Sequence, residues 1–232
     1  MSIAARRAPV WDNGYPTSDG KPLAETDTHR RLTIDLIQTL RHWYANDPNV
    51  YVSGNLLLFY EEGDRRRHVS PDVFVVKGVP NHPRPNYLLW EEGKGPDVVI
   101  ELTSSSTRGE DLGRKLDLYR DTPRVREYFL FDPFGDWLDP PLQGYRLWAG
   151  EYQRVHGIDG RLPSQVLKLH LERDGNQLRL YDPTTGSWLP TPDEEIARMR
   201  RELGSERTAR ERAEAEVERL RAELDRLRRS RN

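Results

Sequence analysis

The chain has 232 residues, a formal net charge of −2, and 32% charged against 35% hydrophobic residues, with the polar excess gathered towards its C-terminal end; the part ahead of that end can hold one substantial domain with a sheet-bearing core. The absence of cysteine excludes disulfides, cysteine-ligated zinc, iron–sulfur clusters and thiol nucleophiles. No stretch approaches the roughly 20 apolar residues of a membrane span, and no apolar segment follows Arg6 and Arg7 as in a signal peptide, so a cytoplasmic protein without membrane association is expected.

Residues 1–24 contain Pro, Gly and Asp without any period and are expected to form an N-terminal arm, ahead of a domain over 25–191 and a coiled coil over 192–232. Asp27 or Thr28 is placed to cap a first core helix, in which Leu32, Leu36, Ile37, Leu40 and Trp43 or Tyr44 recur at helical spacing until Asn46-Asp47-Pro48 stops them. Residues 50–60 read as a strand that breaks at Glu61-Glu62-Gly63-Asp64, and 69–76 as a second, so the two are expected to pair as a hairpin. A Pro- and Gly-rich loop over 78–96 leads to a third strand at 97–102. The polar turn Ser104-Ser105-Ser106-Thr107-Arg108-Gly109 opens a helix over 111–120 that ends near Pro123, and 127–132 supplies a fourth strand. This order predicts an α/β fold, a mixed sheet flanked by helices.

Beyond Pro141, short strands around Tyr145-Arg146-Leu147, Tyr152-Gln153-Arg154-Val155 and Leu178-Arg179-Leu180-Tyr181 are expected to form a β extension of the same domain. From Pro192 a heptad frame places Ile196, Leu203, Arg210, Val217 and Leu224 at one seam position and Met199, Glu206, Ala213, Leu220 and Leu227 at the other. The pattern predicts a coiled coil whose middle is weakened by Arg210 and Glu206, and a homodimer is expected through it; a solvated single helix is the alternative.

Two carboxylates stand in β-like apolar runs: Asp72 in Val69-Ser70-Pro71-Asp72-Val73, and Glu101 in Val98-Val99-Ile100-Glu101-Leu102-Thr103. Strand alternation puts Val99, Glu101 and Thr103 on one face and Val98, Ile100 and Leu102 on the other. Carboxylates are costly in such places unless paired, and if the strands meet, both point at one spot where Mg²⁺ or Mn²⁺ would relieve their repulsion. Lys115 sits at helical spacing with Leu112, Leu116 and Tyr119, inside the apolar stripe, so it needs a carboxylate partner. Beside a metal-bound water it would orient that water or stabilise charge on phosphate; a structural salt bridge to Glu101 is the alternative.

These segments, together with Ser106-Thr107-Arg108, Asp111-Leu112-Gly113, Tyr119 and Glu127-Tyr128-Phe129-Leu130-Phe131-Asp132-Pro133, resemble the Uma family of restriction-endonuclease-like proteins, a branch of the PD-(D/E)XK nuclease superfamily, over residues 25–193. Later segments, Gly160-Arg161-Leu162-Pro163-Ser164 and Tyr181-Asp182-Pro183, are similar to that family's C-terminal half. The resemblance implies a restriction-endonuclease-like fold, with Asp72, Glu101 and the backbone carbonyl of Leu102 binding the divalent metal. In the superfamily's usual pattern a lysine stands two residues after the second carboxylate; here that residue is Thr103, and Lys115 is the natural candidate for a lysine relocated to the following helix.

The reading is a Mg²⁺- or Mn²⁺-dependent endonuclease hydrolysing phosphodiester bonds in DNA, with a catalytically inactive nuclease fold serving as a DNA-binding or oligomeric interaction module as the alternative. His29 follows Glu25 and Asp27 on the first helix, which the resemblance implies can contribute an acidic group to the site; a capped helix start with an ordinary histidine is the other reading, and the six histidines show no zinc spacing. Ser104 to Thr107 could hydrogen-bond a phosphate or simply form a turn. Arg65-Arg66-Arg67-His68, Arg84, Lys94, Arg108 and Arg114 are candidates for contacts to the DNA backbone, with a solvated hairpin tip as the plain reading of the arginine run.

Overall fold

The computed structural model describes residues 13–18, 26–104 and 106–230, which form two units, 1–189 and 190–232. Most of the expected N-terminal arm, Glu25 and Ser105 lie outside the described residues. Where the arm is described, Tyr15 packs between Phe59 and Trp90 and its hydroxyl accepts from Gly63 N at 2.8 Å, while Asn13 bonds Asn86.

The first unit is built on a six-stranded mixed sheet. Its elements begin with α1 (Asp27–Trp43), β1 (Val50–Ser53), β2 (Leu58–Phe59), β3 (His68–Val69), β4 (Val73–Lys77), β5 (Tyr87–Leu88), α2 (Leu89–Glu92) and β6 (Val98–Leu102). They continue with α3 (Arg108–Asp111), α4 (Arg114–Asp121), β7 (Glu127–Phe131), β8 (Leu142–Trp148) and β9 (Glu151–Arg154). The strand order is β1-β4-β6-β7-β8-β9, antiparallel throughout except for the parallel pair β6–β7 that α3 and α4 connect. A second sheet, β10 (Arg161–Pro163), β11 (His170–Asp174), β12 (Gln177–Asp182) and β13 (Ser187–Trp188), is a simple antiparallel run.

Strand alternation sorts the core into two layers. Val73, Val75, Val98, Ile100, Leu102, Phe129 and Phe131 pack on one face with α1 and the second sheet. Phe74, Val76, Val99, Tyr128 and Leu130 pack on the other with Tyr119 of α4. The second sheet is tied to the first by Glu127, which is buried and accepts from Arg146 at 2.9 Å, from Gln165 N at 2.9 Å, from Val166 N at 3.2 Å and from the Ser164 hydroxyl.

Several expectations are corrected. Helix α1 is capped by Thr26, not by Asp27 or Thr28: the Thr26 hydroxyl accepts from His29 N at 3.1 Å. The expected hairpin forms, but each arm is broken in two, so that β2 pairs β3 and β1 pairs β4. Pro71, which has no N–H to donate, interrupts one arm, and the chain opposite bends at Gly54 and Asn55, with Asn55 N bonding Pro71 O at 2.8 Å. The loop over 78–96 holds β5 and α2, because its apolar run Tyr87-Leu88-Leu89-Trp90 pairs with β2 and reaches the core. The single helix expected over 111–120 is split at Leu112-Gly113, where Gly113 has ψ −98°, and Leu112 is exposed instead of joining the stripe. Finally, the strands around 145 and 152 belong to the main sheet as β8 and β9; the separate β extension is the second sheet alone.

The second unit is one helix, α5 (Pro192–Ser230). Thr191 and Glu194 form a reciprocal capping box, Glu194 Oε2 accepting from Thr191 N at 2.8 Å and Thr191 Oγ1 from Glu194 N at 3.3 Å, with Pro192 at the first helical position. Arg–Glu pairs such as Arg207–Glu211 and Arg210–Glu214 brace its surface. The seam residues Ile196, Met199, Leu203, Val217 and Leu220 are exposed; the side chains of Leu224 and Leu227 lie outside those described.

Gly54 is the tightest point of the sheet: a Cβ added there would lie 1.9 Å from the Asp72 carbonyl oxygen and 2.7 Å from Ile37 of α1. Gly54→Ala is expected to cost about 1–3 kcal/mol or more by overpacking, read as a lower urea midpoint at unchanged m-value, whereas Gly109→Ala, with open space at its Cβ and no positive φ, should cost less.

Candidate active site

The β4–β6 ladder runs through Phe74↔Val99 and ends at Val73↔Ile100, so Asp72 and Glu101 are the next facing pair. At that position side chains take over from the main chain. The Asp72 carboxylate accepts from Leu102 N at 2.8 Å, and the Glu101 carboxylate accepts from Asp72 N at 3.2 Å. Each acidic side chain thus satisfies a peptide N–H of the opposite strand, which fixes both near one spot.

Two helices complete the cluster. From α1, His29 places Nε2 3.2 Å from Asp72 Oδ1. From the crossover between β6 and β7, Lys115 places Nζ 3.1 Å from Glu101 Oε1 and 2.9 Å from Asp111 Oδ1. The Tyr119 hydroxyl, one turn further along α4, donates to Glu101 Oε1 at 2.7 Å, and the Tyr128 hydroxyl donates to Asp111 O at 3.0 Å, tying the crossover to β7. Glu101 is fully buried and Asp111 nearly so, while Lys115, Asp72 and His29 leave 12%, 14% and 15% of their side chains accessible.

Three carboxylates therefore share one lysine. Burial pushes the Glu101 carboxyl from 4.5 up to about 8; the Lys115 charge opposes the rise and the Asp72 and Asp111 charges add to it. Asp111 is raised by burial too, against the pull of Lys115. Asp72 goes the other way: burial would raise it, but the His29 hydrogen bond and charge, the Lys115 ammonium and the Leu102 N–H together hold it below its ordinary value. Lys115 keeps its proton despite burial, because Glu101, Asp111 and Asp72 surround it.

Residues 14–174 match the protein family described as "Uma2: Putative restriction endonuclease". The chain belongs to the Uma2 family. It is also similar to an uncharacterized protein of Synechocystis, sll1609, at 26% identity over 106 residues, which is 46% of this chain and 57% of that protein's length; the match spans little more than half of that relative. A crystal structure from Anabaena variabilis titled as "a putative nuclease belonging to DUF820" aligns with a TM-score of 0.47 at 16% identity, covering 66% of this chain and 80% of the other.

In this Uma2 chain the residues singled out from sequence, Asp72, Glu101, Leu102 and Lys115, come together at one place. His29, read from sequence as an ordinary helix-start histidine, lies on the site, and among the described residues the acidic group expected from this helix does not; His29 shares a face of α1 with the buried Leu32, Thr33 and Leu36 at helical spacing. Asp27 instead pairs with Arg30. Asp111 went unassigned, although its i,i+4 spacing to Lys115 was a usable signal. The polar turn bonds within itself, Ser104 N donating to Thr107 Oγ1 at 3.0 Å. Of the candidate DNA contacts, Arg84 is internal, buried over the Tyr51 ring and paired with Glu92, whereas Lys94, paired with Asp97, and Arg108, over the Trp137 ring, stay exposed.

The donor chemistry fits a hard divalent ion. Among the described residues no group of three His, Cys, Asp or Glu side chains stands ready to hold a metal. Mg²⁺, however, commonly takes one or two carboxylates and completes its shell with water and substrate phosphate. Thr103, on the Glu101 face of β6, keeps a buried hydroxyl with no hydrogen-bond partner, and the surplus of buried carboxylate is what a cation relieves.

The raised Glu101 carboxyl has a stability consequence. Its proton is held more tightly in the folded than in the unfolded chain, so its contribution is complete below about 4.5 and is lost as pH rises through about 8, and raised Asp111 acts with the same sign. In EDTA the urea midpoint is expected to fall as pH climbs through that window. Glu101→Gln should flatten the fall, and a midpoint that rises with pH would contradict the assignment.

Proposed function

We propose that this chain is a Mg²⁺- or Mn²⁺-dependent endodeoxyribonuclease with its active centre at Asp72, Glu101 and Lys115. The observation that carries the reading is the Lys115 ammonium 3.1 Å from Glu101, brought there by a helix while Thr103 occupies the usual lysine position. Asp72, Glu101 and the Leu102 carbonyl would hold the metal. A divalent cation bound there supplies Lewis acidity toward the phosphoryl group and lowers the pKa of water.

The protein's own part is positioning and charge. Tyr119 and Asp72 N hold Glu101, and His29 and Leu102 N hold Asp72, so both carboxylates are oriented before substrate arrives. Lys115, positively charged and mostly shielded from water, faces the position where a phosphate would present its oxygens; there it orients the attacking water and stabilises the negative charge that grows during in-line displacement.

The alternative, a catalytically inactive nuclease fold acting as an interaction module, is favoured by the double ion pair that occupies Lys115 between Glu101 and Asp111. Metal binding separates the two, since an interaction module has no use for Mg²⁺ at Asp72 and Glu101. Plasmid nicking in Mg²⁺ or Mn²⁺, absent in EDTA, is expected to fall by roughly 10²-fold or more in Glu101→Ala and in Lys115→Ala. Titration calorimetry should show Mn²⁺ binding to the wild type and to Lys115→Ala but not to Glu101→Ala; no nicking and no metal binding by the wild type would decide for the interaction module.

We also infer that α5 pairs with a second copy of itself. Its heptad seam is exposed along the helix, and an isolated helix gains most of its stability from burying such a stripe. Sedimentation equilibrium is expected to give a dimer for the wild type and a monomer for Leu203→Lys combined with Leu220→Lys.

A further inference from the structure

We propose that the cleft between the β2–β3 hairpin and the α3–α4 crossover is the track on which a DNA strand lies, with Arg66 and Arg114 holding phosphates that flank the one addressed by Lys115; this rests on the nuclease reading above. The cleft has a volume of about 370 Å³, and its lining includes Arg66, His68, Ser70, Glu110, Arg114 and Lys115. Lys115 keeps 12% of its side chain accessible and stands in the wall of this cleft. Ser70, also in its lining, lies two residues before Asp72, and Lys115 in the same lining contacts Glu101 at 3.1 Å, so the cleft adjoins the proposed metal site.

The walls carry cations suited to a polyanion. Arg66 and Arg114 are exposed, and each is paired with one surface carboxylate, Arg66 with Asp64 at 3.1 Å and Arg114 with Glu110 at 3.0 Å. Exposed pairs of this kind are weak, whereas a guanidinium on phosphate makes short, charge-assisted and often bidentate bonds, so exchanging one partner for the other is favourable. His68 is held in place, its ring against Phe59 at 5.3 Å and its Nδ1 donating to Arg65 O at 3.0 Å. Arg65 and Arg67 stand on the same hairpin. With a net charge of −2 the chain cannot attract DNA by overall charge, and Arg84 is buried in a pair with Glu92. The hairpin tip and the start of α4 concentrate positive charge beside the catalytic lysine.

The test is fluorescence anisotropy of a short labelled DNA duplex with full-length protein in Ca²⁺, titrated with NaCl over roughly 50–200 mM. Arg66→Ala combined with Arg114→Ala is expected to weaken binding about ten-fold and to reduce the salt slope by about 1.8, two phosphate contacts at roughly 0.9 each. The charge-matched control Arg154→Ala with Arg173→Ala, outside the cleft, should bind as the wild type does. Equal losses in both variants, or none in the cleft variant while the wild type binds, would overturn the track and leave the nuclease reading intact. A wild type that binds Mn²⁺ but no DNA would overturn the track and the DNA substrate together while sparing the metal site.

Discussion

The structure depends on one exchange of partners at the end of the β4–β6 ladder. Where Asp72 and Glu101 face each other, each carboxylate takes the peptide N–H that the opposite main chain would have used. This is possible only because the neighbouring strand gives way: Gly54 lets the backbone of one arm of the hairpin pass against the Asp72 carbonyl, and Pro71 has no N–H to keep the ladder running. The sheet therefore opens at the point where two acidic side chains are needed inward, and the core on both sides holds them there.

Enclosing that opening creates a charge problem which organises the rest of the site. A buried carboxylate pair is strongly disfavoured, and the crossover adds Asp111 to it while contributing a single lysine. The hydroxyl of Tyr119 and the ring of His29 spread the remaining charge over hydrogen bonds. What results is a cluster in which three carboxylates face one lysine and one histidine. Such an arrangement is suited to accepting a cation together with an anionic substrate, because the pair enters with little net charge.

Much of this was legible from residue patterns. Alternation in Val98-Val99-Ile100-Glu101-Leu102 assigned the strand and the side on which Glu101 stands, and the placement of Lys115 among apolar helical neighbours signalled a paired lysine. The breaks were legible only in part. Pro71 stands in plain view inside 69–76 and interrupts that arm, but residues 50–60 read as one continuous strand because β-propensity records side chains, whereas the close approach of Gly54 to the Asp72 carbonyl exists only after pairing. The split at Gly113 was hidden for a similar reason, since one glycine in a helical pattern is usually tolerated. His29 could not be distinguished from an ordinary helix-start histidine until α1 was laid across β4. The apolar 145 and 152 segments carry no mark of which sheet they join; that choice was made by register with β7, at long range.

The parallel β6–β7 pair requires a connection that crosses one face of the sheet, and in this chain that connection carries both Asp111 and Lys115. The carboxylates Asp72 and Glu101 are therefore framework, inseparable from strand pairing, while Asp111 and Lys115 ride on a segment anchored by Tyr119, packed in the core and bonded to Glu101, and by the Tyr128 hydroxyl. A change of sequence in the crossover would therefore alter the charge facing Asp72 and Glu101 while leaving in place the strand pairing that positions them.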